Sequence, residues 1–167
     1  GLGLAERPEY RLEAVDLGSL YHAALSRWMG RLLREGARIE ALEAEQIREG
    51  LAREAEAIAP KLKNRILLSS ARFEYLLGIL KRTLGGAGEA IVAGLRRGAF
   101  RPRAVEVAFG SRGAALPGLE LDLGGGRRLR LRGRIDRLDT TRAAPGRGPG
   151  VRVVDYKTSS RTLDLPR

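Results

Sequence analysis

Residues 18–34, GSLYHAALSRWMGRLLR, set Leu20, Ala23, Ala24, Trp28 and Met29 three and four positions apart, and Leu25 and Leu32 widen the same stripe. That interval lays side chains along one face of an α-helix, so the spacing predicts an amphipathic helix with Ser19 available as N-cap and Gly36 just past its end. Residues 39–59, IEALEAEQIREGLAREAEAIA, are rich in Glu, Ala, Leu and Arg and run up to Pro60. They predict a second, more exposed helix that stops at the proline, its charges forming a solvated face. A third helical tract covers 66–97, ILLSSARFEYLLGILKRTLGGAGEAIVAGLRR. Gly85 and Gly86 each cost about 1 kcal/mol inside a helix relative to Ala, so the tract is compatible with one helix or two.

The period then changes. RAVEVAFG (103–110), LELDLG (119–124), RRLRLRGRIDRLD (127–139) and VRVVDYKT (151–158) alternate or run apolar over short lengths, and these predict four strands. Gly124 to Gly126 predict a hairpin turn, and TTRAAPGRGPG (140–150) a Pro/Gly-rich connection between the last two strands. The order is helices first, over 1–100, and sheet second, over 101–167: an α/β chain with α+β-like order, one domain and no internal repeat. A strand ending in DYKTSSRTLDLPR would ordinarily feed a covering helix. Together with the abrupt start GLGL, this ending predicts a C-terminally truncated segment of a larger protein.

Composition narrows the chemistry. The 167 residues are 43% hydrophobic, enough for a core, and contain no apolar run long enough to span a bilayer. The N-terminus lacks the basic, apolar and small-residue regions of a signal peptide, so the expected location is the cytoplasm, without a membrane partner. There is no cysteine, which excludes disulfides, zinc–thiolate sites, thiol nucleophiles and an iron–sulfur cluster held by these residues alone. A metal would have to be held by oxygen or by the single histidine, His22. Of the net charge of +11, residues 95–167 supply +10, from 17 basic and 7 acidic side chains. That asymmetry suits a polyanion, because neutralising phosphates releases condensed counterions. An arginine-heavy composition, 27 Arg to 4 Lys, on a solvated surface accounts for it equally well.

The candidate chemistry sits at the strand ends. Asp155 and Lys157 are two apart, so a strand presents both on one face about 7 Å apart. If the strands carrying Asp136 and Asp155 pair, the two carboxylates converge on one hard cation, with the carbonyl of Tyr156 completing an oxygen set of the kind Mg²⁺ prefers. A cation there would polarise a phosphodiester, and Lys157 would orient the nucleophile or stabilise charge developing on phosphorus. Lysine where arginine is the local habit favours a compact ammonium with a specific task. Against this stands a plainer reading: Asp136, Arg137 and Asp139 as surface ion pairs at a hairpin edge, and Asp155 and Lys157 as a solvated strand end.

GRIDRLD followed by VVDYKT resembles the RecB-type branch of the PD-(D/E)XK nuclease superfamily, and within it the C-terminal nuclease domains of AddB-type helicase–nuclease subunits. LGSLYHAAL matches the family's upstream Gly-x-x-x-His helix and VEVAFG its Glu-x-x-Phe strand, so four elements in family order span nearly the whole chain. The resemblance implies a helical half packed on a restriction-endonuclease-like mixed sheet. It implies Asp136 and Asp155 as metal ligands, Lys157 as the catalytic lysine and His22 as an accessory residue lining or ligating the metal, with Glu106 structural or peripheral. On its own, a histidine beside Tyr21 and Trp28 reads as a packed core residue. The implied cofactor is Mg²⁺ or Mn²⁺, and the implied partners are DNA and an AddA-type helicase subunit in double-strand-break repair.

Two departures qualify this. The family's downstream helix with its Gln-x-x-x-Tyr pattern does not occur before Arg167, which leaves cleavage by the isolated segment open. The cysteines that hold an iron–sulfur cluster in many relatives fall outside these residues, which leaves that cluster open for the parent. The leading expectation is a Mg²⁺-dependent deoxyribonuclease, an exonuclease domain. The alternative is a non-catalytic DNA-binding or scaffold module that keeps the fold, and eight aromatic residues without a stacking platform argue against an RNA-binding domain.

Overall fold

The computed structural model describes residues 14–65, 70–143, 145–146 and 148–157. The beginning of the expected third helix, 66–69, and the end of the last expected strand, Thr158, lie outside them. Helix α1 (Ala14–Arg34) is followed by a short 3₁₀ turn (Ile39–Ala41), α2 (Ala44–Arg65) and α3 (Ser70–Arg97). Strands β1 (Arg101–Phe109), β2 (Leu119–Asp122), β3 (Arg128–Leu131), β4 (Gly133–Thr140) and β5 (Val151–Val154) complete the described chain. The helices-then-sheet order is the one the hydrophobic period predicts.

The apolar stripe of α1 closes the core. Leu25, Trp28, Met29 and Leu32 are buried against Ile47, Leu51 and Ile58 of α2 and Leu80, Leu84, Val92 and Leu95 of α3. Each such side chain contributes about 1.5–3 kcal/mol on leaving water. Helix α1 begins earlier than its spacing predicts, so Ser19 lies inside it and not at its cap. Its far end is as expected: Gly36 adopts φ 65°, and the N–H groups of Gly36 and Ala37 return to the carbonyls of Leu33 and Leu32, closing two orphan acceptors.

Both predicted boundaries of the second helix move: residues 39–41 form the separate 3₁₀ turn, and α2 starts at Ala44. Helix α2 continues through Pro60 to Arg65. The proline withholds one hydrogen bond from the carbonyl of Glu56, and both residues face solvent, where water can replace it. Helix α3 runs unbroken through Gly85 and Gly86 because its apolar face stays in register on both sides, with Leu84 and Val92 both buried. The charges of α2 are not all solvated either. Glu54, 8% exposed, accepts from Arg27 Nε at 2.8 Å and Arg31 Nε at 3.3 Å and so ties α2 to α1.

The strands form a three-stranded sheet of order β1-β4-β5 and a two-stranded ribbon, β2-β3, all antiparallel, with one parallel bridge between Phe109 and Leu116. The predicted hairpin is present, with Gly124, Gly125 and Gly126 all at positive φ. The predicted strand 127–139 divides at Arg132 into β3 and β4, which belong to different sheets, so five strands replace four. Close backbone approach marks the crossing: a Cβ on Gly110 would lie 2.8 Å from the carbonyl oxygen of Leu131. One face of the larger sheet meets α1, where Gly30 admits Val105. No helix among the described residues is long and apolar enough to cross a membrane.

Candidate active site

The sheet brings Asp136, midway along β4, beside Asp155, just past the end of β5. The register pairs Arg137 with Val154, which sets Asp136 beside the chain entering Asp155. Asp136 and Asp155 line a common cleft of about 420 Å³, with Phe109, Leu116, Pro117 and Arg134 among its other walls. Pairing of β4 and β5 is the condition the sequence set for the two carboxylates to share a site, and it places both on this cleft.

Asp136 is the better anchored of the two. Its side chain is 14% exposed, its Oδ2 accepts the backbone N–H of Tyr156 at 2.8 Å, and His22 Nδ1 stands 3.3 Å from the same oxygen. Its Oδ1 accepts no hydrogen bond among the described residues. Asp155 is exposed and holds the ammonium of Lys157 at 2.7 Å through Oδ2. The expected strand 151–158 stops at Val154, where its pairing with β4 ends, so Asp155 and Lys157 lie just past β5 and meet as an ion pair there, not as neighbours along a strand face.

His22 reaches the site from α1, one turn before Ser26 on the same helix face. Ser26 Oγ donates to Glu106 Oε1 at 2.7 Å, and Arg134 Nη1 donates to Glu106 Oε2 at 3.2 Å. Glu106 has φ 53°, a left-handed backbone that costs on the order of 1–3 kcal/mol in a residue other than glycine. Helix α1 thus contacts both acidic strand positions, Asp136 through His22 and Glu106 through Ser26. The ring of His22 also meets that of Tyr156 edge to face, 6.1 Å between centroids.

Tyr156 turns inward between its two exposed neighbours. Its hydroxyl accepts from Arg137 Nη1 at 2.8 Å, and burial raises its pKa above the ordinary phenol value, although the Arg137 charge opposes the shift. Arg137 also donates through Nε and Nη2 to Asp139, at 2.8 and 3.1 Å, and Arg152 donates to Asp139 Oδ2 at 2.6 Å through Nη2. Asp139 is 0% exposed and Arg137 5%, so this is a buried network and not the surface pairing one reading of the sequence allowed. Sequence reasoning missed its role, although Arg137, Asp139 and Arg152 sit at the alternate positions that face inward in β4 and β5.

Among the described residues no three carboxylate or imidazole groups converge closely enough to form a complete metal cage. The donors at hand are hard ones: Oδ1 of Asp136 and Oδ1 of Asp155 carry no hydrogen bond among the described residues, and both side chains line one cleft. That pair fits a divalent cation of the magnesium type, which binds through one or two carboxylates and keeps several waters.

Comparison with known proteins gives consistent matches. The chain is 45% identical over 165 residues to a protein of Moorella thermoacetica named as a subunit of an ATP-dependent helicase/deoxyribonuclease, covering 99% of this chain and 14% of that protein. Proteins of the same name from Symbiobacterium thermophilum and Heliobacterium modesticaldum are 41% and 42% identical, covering 98% and 99% of this chain and 14% and 13% of theirs. The chain thus spans about a seventh of the length of the curated relatives it matches. The sequence profile of the PD-(D/E)XK nuclease superfamily matches residues 1–165, and with the paired aspartates assembled at one cleft, the chain belongs to that superfamily.

Proposed function

We propose that the chain is a single nuclease domain, with 1–100 as its helical part and 101–167 as its sheet part, that hydrolyses phosphodiester bonds of DNA with a divalent metal. The observation that carries this reading is the shared cleft of Asp136 and Asp155 with Lys157 held against Asp155. Asp136 and Asp155 would hold Mg²⁺, or Mn²⁺, through their uncommitted oxygens, with the Tyr156 carbonyl and His22 as further candidates. The bound cation would act as a Lewis acid on the phosphodiester.

The remaining work falls to side chains of this chain. Lys157 lies beside the reacting centre as a compact ammonium that can orient the attacking water or offset negative charge growing on phosphorus. His22 fixes the Asp136 carboxylate from α1, and the Tyr156 N–H fixes it from beyond the end of β5, so the group is held in place on the cleft wall. Arg134, exposed on the cleft wall, supplies a phosphate contact. The relatives' name supports a place within a helicase–nuclease that acts on DNA, with an AddA-type partner, recombinational repair and exonucleolytic cleavage as extensions of the same reading. The parent's capacity for an iron–sulfur cluster and a cytoplasmic location belong to the proposal as well.

The test is degradation of linear DNA by the full-length protein with Mg²⁺. Asp155→Ala and Lys157→Ala are each expected to lower the rate by at least ~10²-fold, the scale of losing an electrostatic or proton-transfer group. Degradation that survives both changes removes the site. A fold retained for DNA binding or scaffolding alone would show binding with no metal-dependent cleavage in the unaltered protein.

A further inference from the structure

The chain that leads through β3 into β4, as far as Asp136 midway along β4, carries an arginine at every second residue: Arg128, Arg130, Arg132 and Arg134. All four are exposed. In β3 this row is set apart from the leucines. Leu129 and Leu131 pair across the ribbon with Leu121 and Leu119, whereas Arg130 faces Glu120 and Arg128 faces Asp122. In β4 the row arrives at the cleft, where Arg134 and Asp136 are lining neighbours. Arg132 is the one residue between the two strands, so the series passes from the hairpin to the cleft without an intervening loop.

We propose that Arg128, Arg130, Arg132 and Arg134 form a track that binds the phosphates of one single strand of nucleic acid and leads it along β3 and β4 to Asp136. The proposal rests on the reading of the cleft as a nuclease site. Within each strand two residues advance ~6.6 Å, a step comparable to the separation of neighbouring phosphates in an extended single strand. The row is one side chain wide, so it matches one backbone, and it carries no aromatic residue, so it holds phosphates without stacking bases.

The partners of these arginines suit reversible contact. Arg128 and Arg132 have no acidic partner among the described residues. Arg130 pairs with Glu120 at 2.5 Å and Arg134 with Glu106 at 3.2 Å, with both guanidinium groups largely in water. Exposed pairs of this kind are worth only ~0–1 kcal/mol. They align the side chains at little cost to an exchange of carboxylate for phosphate.

The experiment measures binding of a fluorescent single-stranded oligonucleotide to the full-length protein by anisotropy, across a salt series, with chelator present so that cleavage does not contribute. Each phosphate contact on a single strand adds about 0.7 to the slope of log affinity against log salt. Arg128→Gln with Arg132→Gln is expected to lower that slope by about 1.4, so that the rise from ~50 to ~200 mM salt costs the variant about sevenfold less affinity than the unaltered protein. Arg53→Gln with Arg82→Gln removes the same charge from exposed helix positions and is expected to leave the slope unchanged. Equal loss in the two double variants overturns the track in favour of a diffuse field, as does an unchanged slope in the first. A blunt duplex whose affinity falls as much as the single strand's overturns the single-strand assignment. Cleavage in Asp155→Ala tests the nuclease reading and the salt slope of the arginine variants tests the track, so the two readings fail separately.

Discussion

Asp139 shows how much one buried charge can govern. It is fully enclosed and takes hydrogen bonds from both Arg137 and Arg152. Removing one member of such a network leaves the others desolvated without compensation, so Asp139→Ala is expected to cost about 3–5 kcal/mol. Glu56→Ala, which breaks the more exposed pair with Lys81, is expected to cost ~1 kcal/mol or less. Denaturant unfolding checks both, through a midpoint that falls far further for the first. Tyr156 adds a pH dependence. Its phenol is raised by burial, so the folded state holds that proton more tightly than the unfolded chain does. The stabilisation is therefore fully present below the ordinary tyrosine pKa of about 10 and is lost as pH rises through the folded value. Tyr156→Phe is expected to remove that alkaline loss, measured as stability against pH, and one step from the phenolate absorbance titration. At this scale the pattern of aspartates and lysine was readable because the superfamily's spacing is written in adjacent residues. The Arg137–Asp139 pair has the same spacing as Asp155 and Lys157, yet one is buried and the other exposed. Arg137 and Asp139 lie inside β4, whereas Asp155 and Lys157 follow the end of β5, and where a strand's pairing stops is a property of contacts between distant segments.

The elements follow the hydrophobic period, and their ends follow local competition. Pro60 predicts a stop and Gly85 and Gly86 allow one, but α2 and α3 pass through them because each helix is held by its apolar face against the others. The two kinds of glycine in α3 separate these effects. A Cβ on Gly88 would collide with Leu51 and lie 2.7 Å from Cγ2 of Ile47, whereas a Cβ on Gly86 would meet nothing within 4 Å. Gly88→Ala is therefore expected to lower the melting temperature, its helix-propensity gain of about 1 kcal/mol outweighed by overpacking of about 1–3 kcal/mol. Gly86→Ala is expected to raise it, by up to about 1 kcal/mol in stability. Opposite signs in paired thermal melts check the assignment. The division of 127–139 into two strands was not readable, since RRLRLRGRIDRLD keeps one alternation throughout. The switch of pairing partner at Arg132 is permitted by Gly110 and Gly118, where a Cβ would lie 2.8 and 3.2 Å from the carbonyl oxygen of Leu131.

Across the whole molecule, the helical layer and the sheet share one structural member. Helix α1 buries Leu25, Trp28 and Met29 in the core while His22 and Ser26 brace Asp136 and Glu106. The sequence announced this helix twice, once by its apolar stripe and once by the placement of His22 in the family order. Its docking on the sheet could not be read from spacing, because no local pattern brings His22 to a strand more than a hundred residues away. The consequence bears on any attempt to pare the domain down or move its chemistry to another scaffold. A fragment cut to residues 101–157 would retain Asp136, Asp155 and Lys157 but shed the brace that holds the first of them, and would leave Val105 and Tyr156 without the surface they pack on. The smallest transplantable unit is thus the sheet together with α1, and α1 brings its own partners α2 and α3 as an unavoidable part of the graft.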